Sequence, residues 1–116
     1  GVPYRVVMSC TGDQGDPDAR HIDIECWMPG DSSTGSEPRG KYRETHSADL
    51  MTDYQARRLN IKTKRSNGTE FVHTNDATGI AMGRALVALI ENHQREDGSV
   101  AVPEVLRPYL GGREAI

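Results

Sequence analysis

Residues 21–28 read HIDIECWM, a stretch in which side chains alternate between two chemical characters. Alternation with a period of two residues predicts a β-strand that buries one of its faces. The apolar face carries Ile22, Ile24 and Cys26, and the opposite face carries Asp23, Glu25 and Trp27. A tryptophan beside two carboxylates indicates a face that lines a cleft, although the solvated face of an antiparallel sheet produces the same pattern.

Further strands and helices are predicted on both sides of this stretch. Strands are predicted at 4–10 and 41–47, a short helix at 52–59, the two arms of a hairpin at 60–65 and 69–74, a long helix at 79–92 and a final helical turn at 102–110. Residues 29–40 are rich in Pro, Gly and Ser and predict a flexible loop. This order predicts an α+β fold in which helices flank an antiparallel sheet.

The composition limits the classes of protein to which the chain can belong. Its 116 residues, with 17 acidic and 14 basic side chains, suit one domain with a net charge of −3. A transmembrane helix is excluded, because the chain has no run of about 18 apolar residues. The sequence pI near 5.8 argues against a broad basic nucleic-acid surface. We therefore expect a cytoplasmic protein that does not bind membranes.

The long helix predicted at 79–92 is apolar almost all round, which is typical of a helix buried against a sheet. Thr78 directly precedes it and is a candidate N-cap. Gly79 and Gly83 lie one turn apart and permit the close approach of a strand or a ligand. Packing against a strand is the commoner reason for such glycines.

Arg84 lies among the apolar residues of this predicted helix. A guanidinium in apolar surroundings is costly unless an anion neutralises it. Asp23, Glu25 and Glu44 on the predicted strands could form a structural ion pair with it. A bound phosphate is the other candidate partner, because the planar fork of Arg suits phosphate oxygens.

Glu44 and Ser47 lie three residues apart near the end of the strand predicted at 41–47. Strict alternation places their side chains on opposite faces of the sheet. A bulge, or the end of the strand near Ala48, would bring both to one cation. Oxygen ligands of this kind suit Mg²⁺ that bridges to a nucleotide.

Several segments in consecutive order resemble the C-terminal part of the catalytic domain of seryl-tRNA synthetases. They are YRVVMSCTGD at 4–13, DIECWMPG at 23–30, YRE at 42–44, DYQARRLN at 53–60, HT at 73–74, GIAMGRALVALIEN at 79–92 and EDGSVAVPEVLRPYLG at 96–111. The resemblance covers nearly all of residues 1–116. It implies a partial class II aminoacyl-tRNA synthetase catalytic core, which activates serine with ATP and transfers it to tRNA.

The resemblance also implies roles for individual residues. Arg84 matches the arginine of the third signature motif that holds the ATP phosphates, Glu44 matches a ligand of Mg²⁺ and ATP, and Ser47 matches a serine that assists there. Glu25, Asp76 and Thr78 match positions at the serine pocket. The implied cofactors are ATP and Mg²⁺, and the implied partners are serine, tRNA and a second subunit of a homodimer.

The chain departs from the family pattern in two places. Residues 46–50 read HSADL where members usually carry SSCSN, and Asp76 stands where a substrate-binding Asn is expected. An Asp keeps an acceptor oxygen but removes an amide donor and adds a negative charge.

The first and second family motifs and the N-terminal helical arm are not found within the 116 residues. We therefore expect a segment of a serine–tRNA ligase that is inactive as an isolated chain. Two alternatives remain at this stage. The first is a non-catalytic, synthetase-like binding module, and the second is a paralogue that activates an amino acid for a carrier protein.

Overall fold

The computed structural model describes residues 1–30 and 40–116. Its strands are β1 (Tyr4–Met8), β2 (Arg20–Met28), β3 (Lys41–Thr52), β4 (Lys62–Arg65), β5 (Gly68–Phe71) and β6 (Thr74–Thr78). Its helices are α1 (Tyr54–Leu59), α2 (Met82–His93) and a 3₁₀ helix (Glu104–Leu110). Most of the predicted flexible loop at 29–40 lies outside the described residues. No helix in the described ranges is long and apolar enough to cross a membrane.

Four of the strands form one antiparallel sheet in the order β1-β2-β3-β6. The first three follow one another along the chain, and β6 joins the sheet at β3 after α1 and the hairpin of β4 and β5. The prediction of an α+β fold with an antiparallel sheet is confirmed. The strand β6 was not predicted, because its sequence TNDAT lacks both apolar alternation and β-branched apolar residues.

A β-bulge interrupts the pairing of β2 with β3. Ile24 pairs with His46, but Glu25 pairs with Glu44, so Thr45 is an extra residue on β3. Thr45 is fully buried. Its hydroxyl group lies 3.2 Å from the carbonyl oxygen of Ile24 and 3.2 Å from the Cys26 sulfur, and 2.9 Å from Nδ1 of His46. These contacts hold the bulge in place.

Helix α2 is attached to the sheet near both of its ends. Before its first turn, the backbone N–H of Ala81 donates to the carbonyl oxygen of Thr45 at 2.7 Å. In its last turn, the amide of Asn92 donates to the carbonyl oxygen of Trp27 at 2.7 Å. Ala88, between these two anchors, is buried. The helix is therefore fixed across β2 and β3.

Two predictions about this helix are wrong. The first is that it is buried against the sheet rather than lying at the surface; it does pack on β2 and β3, but several of its large apolar residues and one that precedes it are exposed. They are Ile80, Met82, Leu86, Val87 and Ile90. The second is that Thr78 is its N-cap, because Thr78 ends β6 and the N-cap is Ala81, which makes no side-chain capping hydrogen bond.

The remaining predicted elements are present, with shifted ends. Strands β4 and β5 pair with each other, as predicted, but Gly68 begins β5 and pairs with Arg65, so the two-residue turn is Ser66-Asn67 rather than Asn67-Gly68. Strand β3 extends to Thr52, so α1 begins later than predicted and its N-cap is Asp53. The local sequence defines each element, but pairing partners set where each one ends.

Replacing Thr45 with valine tests the buried contacts at the bulge. Thr45→Val keeps the side-chain shape but leaves the carbonyl oxygen of Ile24 without the hydroxyl donor. We expect a loss of about 1–3 kcal/mol in the free energy of unfolding, measured by urea denaturation. The matched control is Thr69→Val on the exposed hairpin, for which we expect a change within about 0.5 kcal/mol. Equal effects of the two substitutions would contradict a special role for Thr45.

Candidate functional site

One face of the four-stranded sheet carries polar side chains in three rows that cross the strands. The backbone register gives the rows as Arg5, Glu25 and Glu44; then Asp23, Ser47 and Thr78; then His21, Asp49 and Asp76. Directly paired residues in a sheet project to the same face. The face therefore brings together five of the six residues predicted for the site, which are Glu25, Glu44, Ser47, Asp76 and Thr78.

The bulge at Thr45 places Glu44 and Ser47 on the same face. Without an extra residue on β3, alternation would separate the two side chains. With it, Glu44 pairs with Glu25 and Ser47 pairs with Asp23, and those two residues of β2 lie on one face. The bulge that the sequence analysis offered as one of two ways to join Glu44 and Ser47 is therefore present.

The first row contains two carboxylates directly opposite each other. Glu25 and Glu44 are cross-strand partners, an arrangement that is repulsive for like charges. Each carboxylate has its own cation at the outer side of the row. The Nε atom of Arg5 contacts Oε2 of Glu25, and Nη2 of Arg84 lies 3.3 Å from Oε1 of Glu44. The row is therefore balanced in charge.

Arg84 is not buried, contrary to the prediction from its neighbours in sequence. Its side chain is 48% exposed, and that of Glu44 is 34% exposed. Of the two partners considered, the structure contains the ion pair with Glu44, but at this exposure the pair contributes little to stability. A weak, solvated pair leaves the guanidinium able to turn toward a ligand anion.

The helix start beside Arg84 is open. Beyond its chain neighbours and the backbone of its own helix, a Cβ atom added at Gly79 or Gly83 would meet no atom of the described residues within 4 Å. The reading that these glycines serve close packing by a strand is wrong for the part of the chain that the structure describes. The space is available for the approach of a ligand.

The second and third rows carry the residues predicted for the serine pocket. Ser47 is half-buried between Asp23 and Thr78, and Thr78 is exposed. Asp76 is also exposed, and its Oδ2 lies 3.5 Å from the amide nitrogen of Gln55. The Asp76 carboxylate can therefore accept hydrogen bonds from a ligand in the open space above the sheet.

The structure also places a histidine among carboxylates, an arrangement that the sequence analysis missed. Nε2 of His21 lies 2.8 Å from Oδ1 of Asp23, and Nδ1 lies 2.8 Å from Oδ1 of Asp49 and 3.4 Å from Oδ2 of Asp18. Only Asp18 and Asp23 are close to His21 in the sequence. The contact with Asp49 depends on the register of β2 with β3, which a single sequence does not reveal.

The two central groups of this cluster have shifted pKa values. Burial lowers the pKa of His21, but hydrogen bonds to Asp23 and Asp18 and the nearby negative charges outweigh it, so the pKa is raised. Burial raises the pKa of Asp49, and the charges of Asp18, Asp23 and Asp76 add to this rise against the opposing effect of His21. The charges on this part of the face are therefore strongly coupled.

An open cleft of about 490 Å³ lies over the part of this face nearest β1. Its walls include Val7, Ser9, His21, Asp23, Glu25 and Glu44. The prediction that Asp23 and Glu25 line a cleft is thus confirmed. Trp27, which shared that prediction, is not among the lining residues. Its ring packs instead against Tyr42, with the ring centroids 5.1 Å apart.

Comparison with known proteins identifies the fold that carries this face. A family model described as the tRNA synthetase class II core domain (G, H, P, S and T) matches residues 1–93. The chain belongs to this family. Among curated relatives, the serine–tRNA ligase of Thermodesulfovibrio yellowstonii is 54% identical over 113 residues, which is 96% of this chain and 25% of that enzyme. That of Dictyoglomus thermophilum is 52% identical over 111 residues, 95% of this chain and 24% of that enzyme.

Solved structures of class II cores agree with this assignment. The seryl-tRNA synthetase of Pyrococcus horikoshii, crystallised with ATP, superposes with a TM-score of 0.85 at 49% identity. The match covers 99% of this chain and 24% of that one. The cytoplasmic serine–tRNA ligase of Naegleria fowleri, in complex with AMP, gives a TM-score of 0.83 at 42% identity, over 99% and 25% of the two chains. The chain therefore spans about a quarter of the relatives that it matches.

A double-mutant cycle measures the ion pair at the edge of this class II core segment. We expect Arg84→Ala and Glu44→Gln, alone and combined, to give a coupling free energy of about 0–1 kcal/mol in urea denaturation, because both side chains are partly solvated. A coupling of about 3 kcal/mol would instead identify a structural pair. In that case Arg84 could not leave Glu44 to bind a ligand without a loss in the free energy of unfolding.

Proposed function

We propose that this chain is the part of a serine–tRNA ligase that binds the phosphates of ATP and the serine substrate. The observation that carries the proposal is the shared face. Five predicted site residues from β2, β3 and β6 project from it, and the sixth, Arg84, contacts Glu44. The identity of about half to serine–tRNA ligases across nearly the whole chain supports serine as the amino acid.

Arg84 is proposed to bind the phosphates of ATP. Its guanidinium offers several N–H donors in a planar fork, and its partial exposure leaves them accessible. In the absence of a phosphate the fork contacts Glu44. When a nucleotide binds, its phosphates replace that carboxylate as the anion beside Arg84, and Glu44 becomes free to hold a cation.

Glu44 and Ser47 fit a magnesium ion by the chemistry of their donors. Both offer oxygen atoms, which Mg²⁺ prefers, and the bulge puts them on one face. Bound there with ATP, the ion would neutralise phosphate charge as the adenylate forms. Glu44 and Ser47 would hold it, and Arg84 would keep the phosphates in position.

Glu25, Asp76 and Thr78 are proposed to bind serine. Carboxylates accept hydrogen bonds from an ammonium group, and the Thr78 hydroxyl can donate or accept. Thr78 pairs with Ser47 in the sheet, so the proposed serine and magnesium positions are neighbours. The α-carboxylate of serine would then lie beside the phosphates that it attacks.

The proposal also covers the whole enzyme, whose activity we propose to be that of the serine–tRNA ligases to which this chain is similar. It includes the transfer of serine to tRNA, a homodimeric assembly and a cytoplasmic location. If the experiments below detect no serine activation, one of two alternatives would be favoured. The first is a synthetase-like binding module without catalysis, and the second is a paralogue that activates an amino acid for a carrier protein.

Arg84→Ala tests the phosphate role in a chimaeric enzyme. In the chimaera, residues 1–116 replace the matching quarter of the Thermodesulfovibrio yellowstonii enzyme. We expect the substitution to lower serine-dependent pyrophosphate–ATP exchange at least about 150-fold, or about 3 kcal/mol, while circular dichroism is unchanged. The loss follows from removal of a charge-assisted phosphate contact.

Two controls separate this result from a structural effect. Arg57→Ala removes another exposed arginine that forms an ion pair, with Asp53. Arg57 is not a member of the three rows, and its loss should leave exchange unchanged. The 116-residue chain by itself should show no exchange. A folded parent chimaera without activity would contradict the proposed function, and an active Arg84→Ala variant would contradict only the role of Arg84.

Asp76→Asn tests the serine pocket in the same chimaera. The substitution restores an amide donor and removes one negative charge near the position of the forming adenylate. We expect kcat/KM for serine to rise about tenfold, equivalent to about 1.4 kcal/mol. A fall in kcat/KM would show that the carboxylate is adapted to its substrate, and other amino acids would then be screened.

A further inference from the structure

A second group of metal-ligating side chains lies on the polar face, apart from Glu44 and Ser47. One oxygen of Asp18, one ring nitrogen of His21 and one oxygen of Asp49 lie within 4.8 Å of one another. Asp18 and Asp49 are mostly withdrawn from water, with side chains 8% and 15% exposed. The three residues come from the loop before β2, from β2 and from β3.

The fold holds each of these residues in place through the backbone. Asp18 lies in a tight turn, where its N–H donates to the carbonyl oxygen of Gly15 and its Oδ2 accepts from the N–H of Gly15. The next residue, Ala19, donates to the carbonyl oxygen of Leu50 at 2.8 Å, which ties the turn to the end of β3. His21 and Asp49 are cross-strand partners in the sheet.

The Asp49 carboxylate has one oxygen that the described part of the protein does not satisfy. Its Oδ1 atom is buried from solvent and has no hydrogen-bond partner there. Nδ1 of His21 lies 2.8 Å from it, but the contact does not have the geometry of a hydrogen bond. A buried acceptor oxygen without a hydrogen bond is rare in proteins and calls for an explanation, and a bound cation is one that its position beside Asp18 and His21 supports.

The charge of the group points to a cation. The carboxylates of Asp18, Asp23 and Asp49 surround a single imidazole, and Asp76 lies opposite Asp49. Even a protonated His21 ring balances only one of them. No arginine or lysine is paired with these carboxylates in the ion pairs found among the described residues.

We propose that Asp18, His21 and Asp49 form a binding site for a divalent transition-metal cation, for which Zn²⁺ is the probe. One imidazole nitrogen and two carboxylate oxygens form a donor set typical of Zn²⁺ with an open coordination position. In tetrahedral zinc sites the ligand atoms lie about 3.3 Å apart, so small side-chain movements suffice here. The site is separate from the one proposed for Mg²⁺.

Asp23 supports the site as a positioning residue. Its Oδ1 lies 2.8 Å from Nε2 of His21. A carboxylate that accepts the Nε2 proton leaves the lone pair of Nδ1 for the metal and fixes the ring orientation. His21, at the centre, therefore has one nitrogen for the cation and the other for Asp23.

Isothermal titration with ZnCl₂, after treatment with a chelator, tests the site in the full-length form of the protein. We expect one zinc ion bound per chain by this group. His21→Gln and Asp49→Asn should remove that binding event, and Asp23→Asn should weaken it about tenfold. His73→Gln is the matched control, because His73 is exposed on another part of the chain. This variant should bind zinc as the unmodified protein does.

Nitrogen-15 NMR of the imidazole rings gives an independent readout that needs no substitution. Zinc should shift the Nδ1 resonance of His21 and leave Nε2 protonated. Absence of zinc binding, equal binding by Asp49→Asn, or an unshifted Nδ1 resonance in the zinc-saturated protein would each overturn the proposal. The cluster would then be a histidinium held by three carboxylates.

Discussion

The single extra residue at Thr45 is the constraint on which the polar face depends. It moves the pairing of β3 by one position between Ile24 and Glu25, so that side chains on both sides of the bulge lie on the same face. The same residue gives its carbonyl oxygen to the N–H of Ala81, just before α2. The bulge thus sets the orientation of Glu44 and also the place where the helix that carries Arg84 begins. Its burial and its three hydroxyl contacts explain how an irregular strand stays defined.

The face combines high charge density with a largely solvated ion pair between Arg84 and Glu44 at the first row. Acidic groups outnumber basic ones across its three rows, and the arginines approach only from the outer positions of the first row. Pairs in which both partners are partly solvated contribute little free energy to folding. A cationic ligand or the phosphate of a nucleotide can therefore replace an internal partner at small cost. This property suits the proposed exchange of Glu44 for a phosphate beside Arg84.

Local sequence patterns were sufficient for β2, for the existence of the hairpin and for the α+β class. The alternation at 21–28 can be recognised without knowing which strands pair with it. Asn67-Gly68 predicts a hairpin, although the turn itself is formed by Ser66 and Asn67. For Arg84 the residues alone left an ion pair and a phosphate open, and for Glu44 they suggested a cation; the specific roles proposed for both follow from the family resemblance. What failed depended on contacts distant in sequence. Strand β6 exists because β3 offers it an edge, and the burial of α2 was overestimated because an apolar sequence does not show how much of its surface is covered.

The His21 cluster shows the same limit at the level of chemistry. Asp49 is 28 positions from His21, and only the register of two strands makes them neighbours. Asp49 lies in the stretch that departs from the family pattern, but the sequence alone does not place it beside an imidazole. Its partner could be found only once the pairing of β2 with β3 was known.

The small hairpin of β4 and β5 gives the molecule a region where chain length can vary. It forms its own two-stranded sheet, and within the described residues the four-stranded sheet does not use it. Its Phe71 ring lies under the guanidinium of Arg57 and the ammonium of Lys62, contacts near its base rather than at its turn. Residues added at the turn would lengthen the ribbon into solvent at a low entropic cost. A residue added beside Thr45 would reverse the faces of β3. Related proteins can therefore diverge in length at 66–68, whereas the strand at 44–47 can diverge only by substitution.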